Sequence, residues 1–133
     1  MHSATYQSCA PQPLCLPNTY TFENLDRVQV NASKYDGNAT AHDWVIDKGE
    51  AVSTGSELVL TLTEQNGGTR MSSTRYVHYG TINFRLKTSS AAGVVTAAIT
   101  MSDVKDEIDV EMPGPLTSEF QVSGTVCARV RTS

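Results

Sequence analysis

From Tyr20 onward, apolar and polar positions alternate in short runs. Leu58, Leu60 and Leu62 fall on one side of a period-2 pattern, with Val59, Thr61 and Thr63 on the other. Ile82, Phe84 and Leu86 likewise oppose Asn83, Arg85 and Lys87. Successive side chains of a strand face opposite ways, so each run predicts a β-strand with one face inward. Gly93 to Met101 is a nearly continuous apolar and threonine run, which predicts a central strand covered on both sides. The dipeptides Asp36-Gly37, Lys48-Gly49 and Thr54-Gly55 are turn signals, and Asn66-Gly-Gly68 between two strand patterns predicts a hairpin. No run has the spacing of an amphipathic helix and no internal repeat is present. The natural architecture is an antiparallel β-sandwich. The Pro-, Ser- and Gln-rich segment up to about Pro17 reads as an N-terminal arm.

The most informative alternation is Asp-Glu-Ile-Asp-Val-Glu-Met over residues 106–112. On a strand, Glu107, Asp109 and Glu111 share one face, while Ile108, Val110 and Met112 share the other and are expected to pack into a core. A helix would separate Asp109 from the other two carboxylates. Two carboxyl groups flanking one bond are what retaining glycoside hydrolysis requires, one as nucleophile and one as acid/base. Glu107 and Glu111 have Cα atoms about 13 Å apart on an ideal strand. The covalent mechanism needs carboxyl groups about 5–5.5 Å apart. Long glutamate side chains close that gap on a concave sheet. The nucleophile must be ionised and the acid protonated, so their pKa values must be driven apart.

Gly93-Val-Val-Thr-Ala97, the run from Ile99 to Asp109, and Glu111 closely resemble the family 16 glycoside hydrolases. Within that family the likeness is to fungal cell-wall transglycosylases of the Crh type, which join chitin to β-glucan. The stretches 60–70 and 72–76, with Tyr79-Gly80, fit the same subgroup, as does the pair Cys9 and Cys15. The resemblance runs from about Cys9 to about Glu111. It implies an all-β, concanavalin A-like jelly-roll β-sandwich that uses no cofactor and acts on chitin and β-glucan. It makes Glu107 the nucleophile, Glu111 the acid/base and Asp109 a supporting carboxylate. Val110, Met112 and Ala98 stand where the family usually has bulkier or aromatic residues, so weaker packing is expected beneath this strand. After Gly114 nothing resembles the family. The expected organisation is an arm at 1–17, the N-terminal part of the family domain at 18–114, and an unmatched, unpatterned tail at 115–133. All-β sandwiches commonly run to about 200–250 residues, so the chain is expected to carry about half of one.

Composition fits a secreted, single-domain β protein and adds little to function. The 133 residues include 14 acidic and 10 basic ones, a net charge of −4 with no basic run, which argues against nucleic acid as partner. No stretch reaches the roughly 18–20 apolar residues that span a bilayer. Met1-His-Ser-Ala-Thr5 lacks the pattern of a leader, so the leader is expected to be missing from this chain. The sequons Asn31-Ala-Ser33 and Asn38-Ala-Thr40 make sense on a secretory route and mark Asn31 and Asn38 as glycosylation sites. Cys9 and Cys15 enclose a five-residue loop. A local disulfide is favoured over two free thiols if the chain is secreted, which leaves Cys127 over. The acidic cluster lacks a calcium-loop pattern, and His2, His42 and His78 lack ligand spacing with the cysteines. Trp44 reads as core more readily than as a sugar platform, and Arg70 and Arg75 as surface residues. A non-catalytic glycan-binding sandwich is the alternative from another class, and an inactive truncated sandwich is the second alternative.

Overall fold

The computed structural model describes residues 17–77 and 79–114 and, for the backbone, 119–127. The arm's first sixteen residues, the Cys9–Cys15 pair, His2 and His78 lie outside the described residues. The chain divides into two compact units, residues 1–77 and 78–133.

The first unit holds β1 (Val28–Gln29), a short 3-10 helix (Ala32–Lys34), β2 (Trp44–Lys48), β3 (Ala51–Ser53), β4 (Leu58–Leu60) and β5 (Arg70–Ser73). A three-stranded sheet runs β1-β2-β5, with β1 parallel and β5 antiparallel to β2. β3 and β4 form a separate hairpin closed by the Thr54-Gly55 turn. Among the described residues of this unit, Val28, Val45 and Ile46 are the buried apolar side chains. The leucine face expected at 58–62 is not buried: Leu60 and Leu62 are exposed, and β4 ends at Leu60. Asn66-Gly-Gly68 does not close a hairpin either. It carries the chain from β4, paired with β3, to β5, paired with β2. Its form comes from Asn66, whose Oδ1 accepts from the Thr63 and Gly68 amides, both at 2.8 Å. The side chain thereby stands in for a backbone turn.

The second unit holds β6 (Tyr79–Lys87), β7 (Val95–Met101), β8 (Glu107–Pro113) and β9 (Glu119–Cys127). β6 and β9 pair antiparallel from Tyr79↔Cys127 to Lys87↔Glu119, enclosing the β7–β8 hairpin in sequence. Ile82, Phe84 and Leu86 are half-buried while Asn83, Arg85 and Lys87 are exposed, as the alternation predicts. The end of the chain is not patternless, because 119–127 supplies the ladder that β6 needs to satisfy its backbone.

Two expectations about the hairpin are overturned. β7 is not a strand covered on both sides: it pairs with β8 alone among the described residues, and alternate side chains are open. The apolar face of β8 is not packed throughout. Met112 is 5% exposed, but Ile108 is 62% exposed and Val110 is open as well. The bulk that would cover them is missing on the facing row, where β7 presents Thr96, Ala98 and Thr100.

Candidate functional site

The hairpin that carries the acidic row is built by a compact loop. The Ser102 amide donates to Asp106 O at 2.9 Å, the Lys105 amide to Ser102 O at 3.0 Å, and the Asp106 amide to Ser102 Oγ at 2.9 Å. Lys105 takes the left-handed conformation, φ 69°, that closes the turn. Register then follows: Met101 opposes Glu107, Ile99 opposes Asp109, and Ala97 opposes Glu111. Directly opposed residues of an antiparallel pair point to the same face, with Cβ atoms about 4.5–5.5 Å apart.

Glu107, Asp109 and Glu111 therefore share one face, and all three are exposed. Among the described residues no ion pair holds any of them. Beside them runs an apolar row from β7: Val95 at 51% exposure, Ala97, Ile99 at 45% and Met101 at 46%. β7 is thus amphipathic in the unusual sense, since its larger apolar side chains are open and its threonines are half-covered. The sequence reading missed this row by treating 93–101 as continuous. The signal was present as the period-2 order Val95, Ala97, Ile99, Met101. Carboxylates next to apolar methyl and thioether groups suit a ligand that is polar at its edge and apolar on its face. A pyranose ring, with hydroxyls around its rim and C–H bonds on its faces, is such a ligand.

The other residues singled out from the sequence have structural partners in the first unit. Trp44 packs edge-on against Tyr20, ring centroids 5.2 Å apart, and lies 5.7 Å from Phe22. It belongs to an aromatic cluster, as its core reading implies. Arg75 is not a free surface residue. Its Nη1 meets Asp43 Oδ1 at 2.5 Å and its Nη2 donates to Ala39 O. Arg27 grips the same carboxylate from the other side, Nε to Oδ2 at 2.6 Å and Nη2 to Oδ1 at 2.9 Å. Hydrogen bonding from Arg27 lowers the Asp43 pKa to about 2, against a smaller upward push from burial, and the Arg75 hydrogen bond adds to the lowering. Arg70 pairs with Asp47 at 3.3 Å. His42 lies edge-on to Tyr35, and no group of three or more metal-ligating side chains gathers among the described residues.

Comparison with known proteins bears on this arrangement. The profile of glycosyl hydrolases family 16 matches residues 38–126, beyond the Gly114 limit drawn from the sequence. Crh-like protein 3 of Botryotinia fuckeliana is 41% identical over 112 residues, covering 84% of this chain and 25% of the relative. Crh-like protein 2 of Aspergillus fumigatus is 42% identical over 122 residues, covering 91% of this chain and 27% of the relative. Congo red hypersensitive protein 2 of Saccharomyces cerevisiae is 37% identical over 115 residues, covering 85% and 24%. The chain spans about a quarter of the length of these curated relatives. No solved structure matches it. No helix among the described residues is long and apolar enough to cross a membrane. The chain belongs to family 16 of the glycosyl hydrolases, and its strands are part of that family's all-β jelly-roll sandwich.

Proposed function

We propose that the protein is a secreted cell-wall enzyme, a retaining glycosidase or transglycosylase that acts on chitin and β-glucan. The observation that carries this reading is the row Glu107, Asp109, Glu111 on one open face of β8, beside the open apolar row of β7. Glu107 attacks the anomeric carbon of the donor sugar. A bond forms from its carboxylate oxygen to C1 as the C1–O bond to the leaving sugar breaks. Glu111 gives its proton to that leaving oxygen. Asp109, between them on the same face, orients Glu107 and tunes its charge. In the second half, Glu111 takes a proton from the incoming hydroxyl, which attacks C1 and releases Glu107. With water the outcome is hydrolysis; with a sugar hydroxyl it is transfer. Val95, Ile99 and Met101 offer C–H surface to the faces of the rings.

The test is turnover of chitin oligomers, with a labelled glucan oligomer as acceptor, by the full-length protein. Glu107→Gln removes the covalent step and Glu111→Gln the proton transfer. Each should lower turnover by roughly three orders of magnitude or more, in the range of losses for nucleophile and acid/base removal. Asp109→Asn should cost less, since it loses no reacting atom. Melting temperature should hardly move, because the three side chains are exposed. Near-normal turnover in Glu107→Gln would end the nucleophile assignment. Glycan affinity without turnover in the unsubstituted protein would favour the glycan-binding alternative.

A further inference from the structure

The carboxylate face of the β7–β8 hairpin is also the face on which the two strands stand closest. The Ser102 amide donates to Asp106 O at 2.9 Å and the Gly114 amide to Val94 O at 2.7 Å, so 102 with 106 and 94 with 114 are hydrogen-bonded pairs. Such pairs alternate along an antiparallel ladder with non-hydrogen-bonded ones, whose Cα atoms are about 4.5 Å apart. Met101 with Glu107, Ile99 with Asp109 and Ala97 with Glu111 fall in the second set. Each carboxylate thus has a β7 side chain close beside it, and the bulk is unevenly spread. Met101 and Ile99 stand toward the Glu107 end, while Ala97 leaves the Glu111 end bare.

β7 also turns its threonines away from this face. Thr96 and Thr100 are half-buried on the opposite side, while Ile99 is 45% and Met101 46% exposed. A surface built only for sugar hydroxyls would present the threonines instead. A hydroxyl laid on Met101 or Ile99 loses water and gains no hydrogen-bond partner, which costs free energy. A methyl group laid there leaves water and gains dispersion contact.

We infer that Met101 and Ile99 are specificity residues: by receiving an acetamido methyl group, they select a donor sugar with an acetamido group at C2 over one with a hydroxyl there. This rests on the proposed function, in which Glu107 is the nucleophile. Glu107 bonds to C1, and C2 is the next ring atom, so the C2 substituent of the donor lies beside Glu107. Met101 is directly opposed to Glu107. Ile99 is the diagonal neighbour, about 7–8 Å away and within reach of long side chains. Methionine is unbranched and polarisable, and it adapts its shape to a small apolar group. A glucosyl unit has nothing to place against these two side chains. The bare surface at Ala97 makes no such choice on the sugar that leaves or enters beside Glu111.

The test compares two donors that differ by one methyl group, chitin oligomers and the same oligomers carrying N-formyl in place of N-acetyl. Both keep the amide N–H and C=O. With the full-length protein and one labelled glucan acceptor, kcat/KM should favour the N-acetyl donor about tenfold, the lower end of the effect of one missing methylene in an apolar pocket. Ile99→Thr with Met101→Thr should bring that ratio near one. Ile99→Val with Met101→Leu keeps the apolar surface and should hold most of the preference. An unsubstituted protein that treats the two donors alike would overturn the inference, as would a preference that survives in the double threonine variant. Calorimetric affinity for the two oligomers gives the same comparison without turnover. Failure of the nucleophile assignment, read from Glu107→Gln, is thereby told apart from failure of this one.

Discussion

At the scale of single residues, Asp43 does more for the fold than any member of the acidic row. It is buried between two half-exposed arginines that also hold the carbonyls of residues 39 and 40. Its folded pKa of about 2 lies below the 3.8 of an unperturbed carboxyl. Between those values the unfolded chain binds more protons than the folded one, so stability rises with pH across the window. The contribution is whole above about pH 4 and is lost as pH falls toward 2. It amounts to about 1–2 kcal/mol once screening by the exposed arginine surface is allowed for. Asp43→Asn should destabilise by about 1–3 kcal/mol near neutrality, because two guanidinium groups are left facing each other. Chemical denaturation of both proteins from pH 2 to 6 checks this: the gap should narrow as pH falls, and a constant gap would mean that the carboxylate's charge is irrelevant. The acidic row was legible in the sequence because charge and period coincide there. Asp43 was not, since its partners stand 16 and 32 residues away and no local pattern joins them.

At the scale of elements, the turn between β2 and β3 shows where pattern and geometry part. Lys48-Gly49 reads as a turn in the sequence, and the chain does turn there. What the pattern does not convey is that the turn is pressed against the segment before β5. Gly49 has φ +76°, and a Cβ placed on it would lie 2.3 Å from Thr69 Oγ1 and 2.5 Å from Gly68 O. Thr69 is fixed in turn: its hydroxyl donates to Thr61 O at 2.6 Å and accepts from the Glu50 amide at 2.9 Å. Gly55, at φ +91°, has nothing within 4 Å of such a Cβ. Gly55→Ala should therefore cost only the conformational strain, about 1–2 kcal/mol. Gly49→Ala adds a clash with backbone and should cost about 3 kcal/mol or more. Equal urea midpoints for the two variants would show that the β2–β3 turn is free of the Thr69 segment. The same contrast explains the hairpin wrongly expected at Asn66-Gly-Gly68. A turn signal reports a local reversal, and which strand pairs with which is decided by distant contacts such as Thr69 with Glu50. Strands with strict alternation, β6 above all, were legible because their own faces settle their placement.

At the scale of the whole molecule, open apolar surface is the dominant property of the second unit. Ile108 and Val110 lie open on one face of the β7–β8 hairpin, and Val95, Ile99 and Met101 on the other. Val104, exposed at the loop tip, extends the apolar surface beyond the strands. The outer edge of β8 has no strand partner among the described residues. A free edge offers unpaired backbone groups, and apolar faces on both sides favour a second sheet stacking on the first. The carboxylates lessen this on the face they share, since like charges from two copies would meet there. The face with Ile108 and Val110 has no such protection. It follows that the 133-residue polypeptide, expressed by itself, self-associates through the Ile108 face. Sedimentation velocity should show a concentration-dependent rise in mass at neutral pH. Ile108→Thr with Val110→Thr keeps β-branched residues in the strand, removes apolar surface from that face, and should shift the chain toward monomer. Ile99→Thr with Met101→Thr, on the carboxylate face, should shift it much less. Raising the salt to about 1 M, which screens the repulsion between carboxylates of two copies, should bring the second face into play and deepen association. A polypeptide that stays monomeric at every concentration, at low and at high salt, would mean that these side chains cover one another in solution.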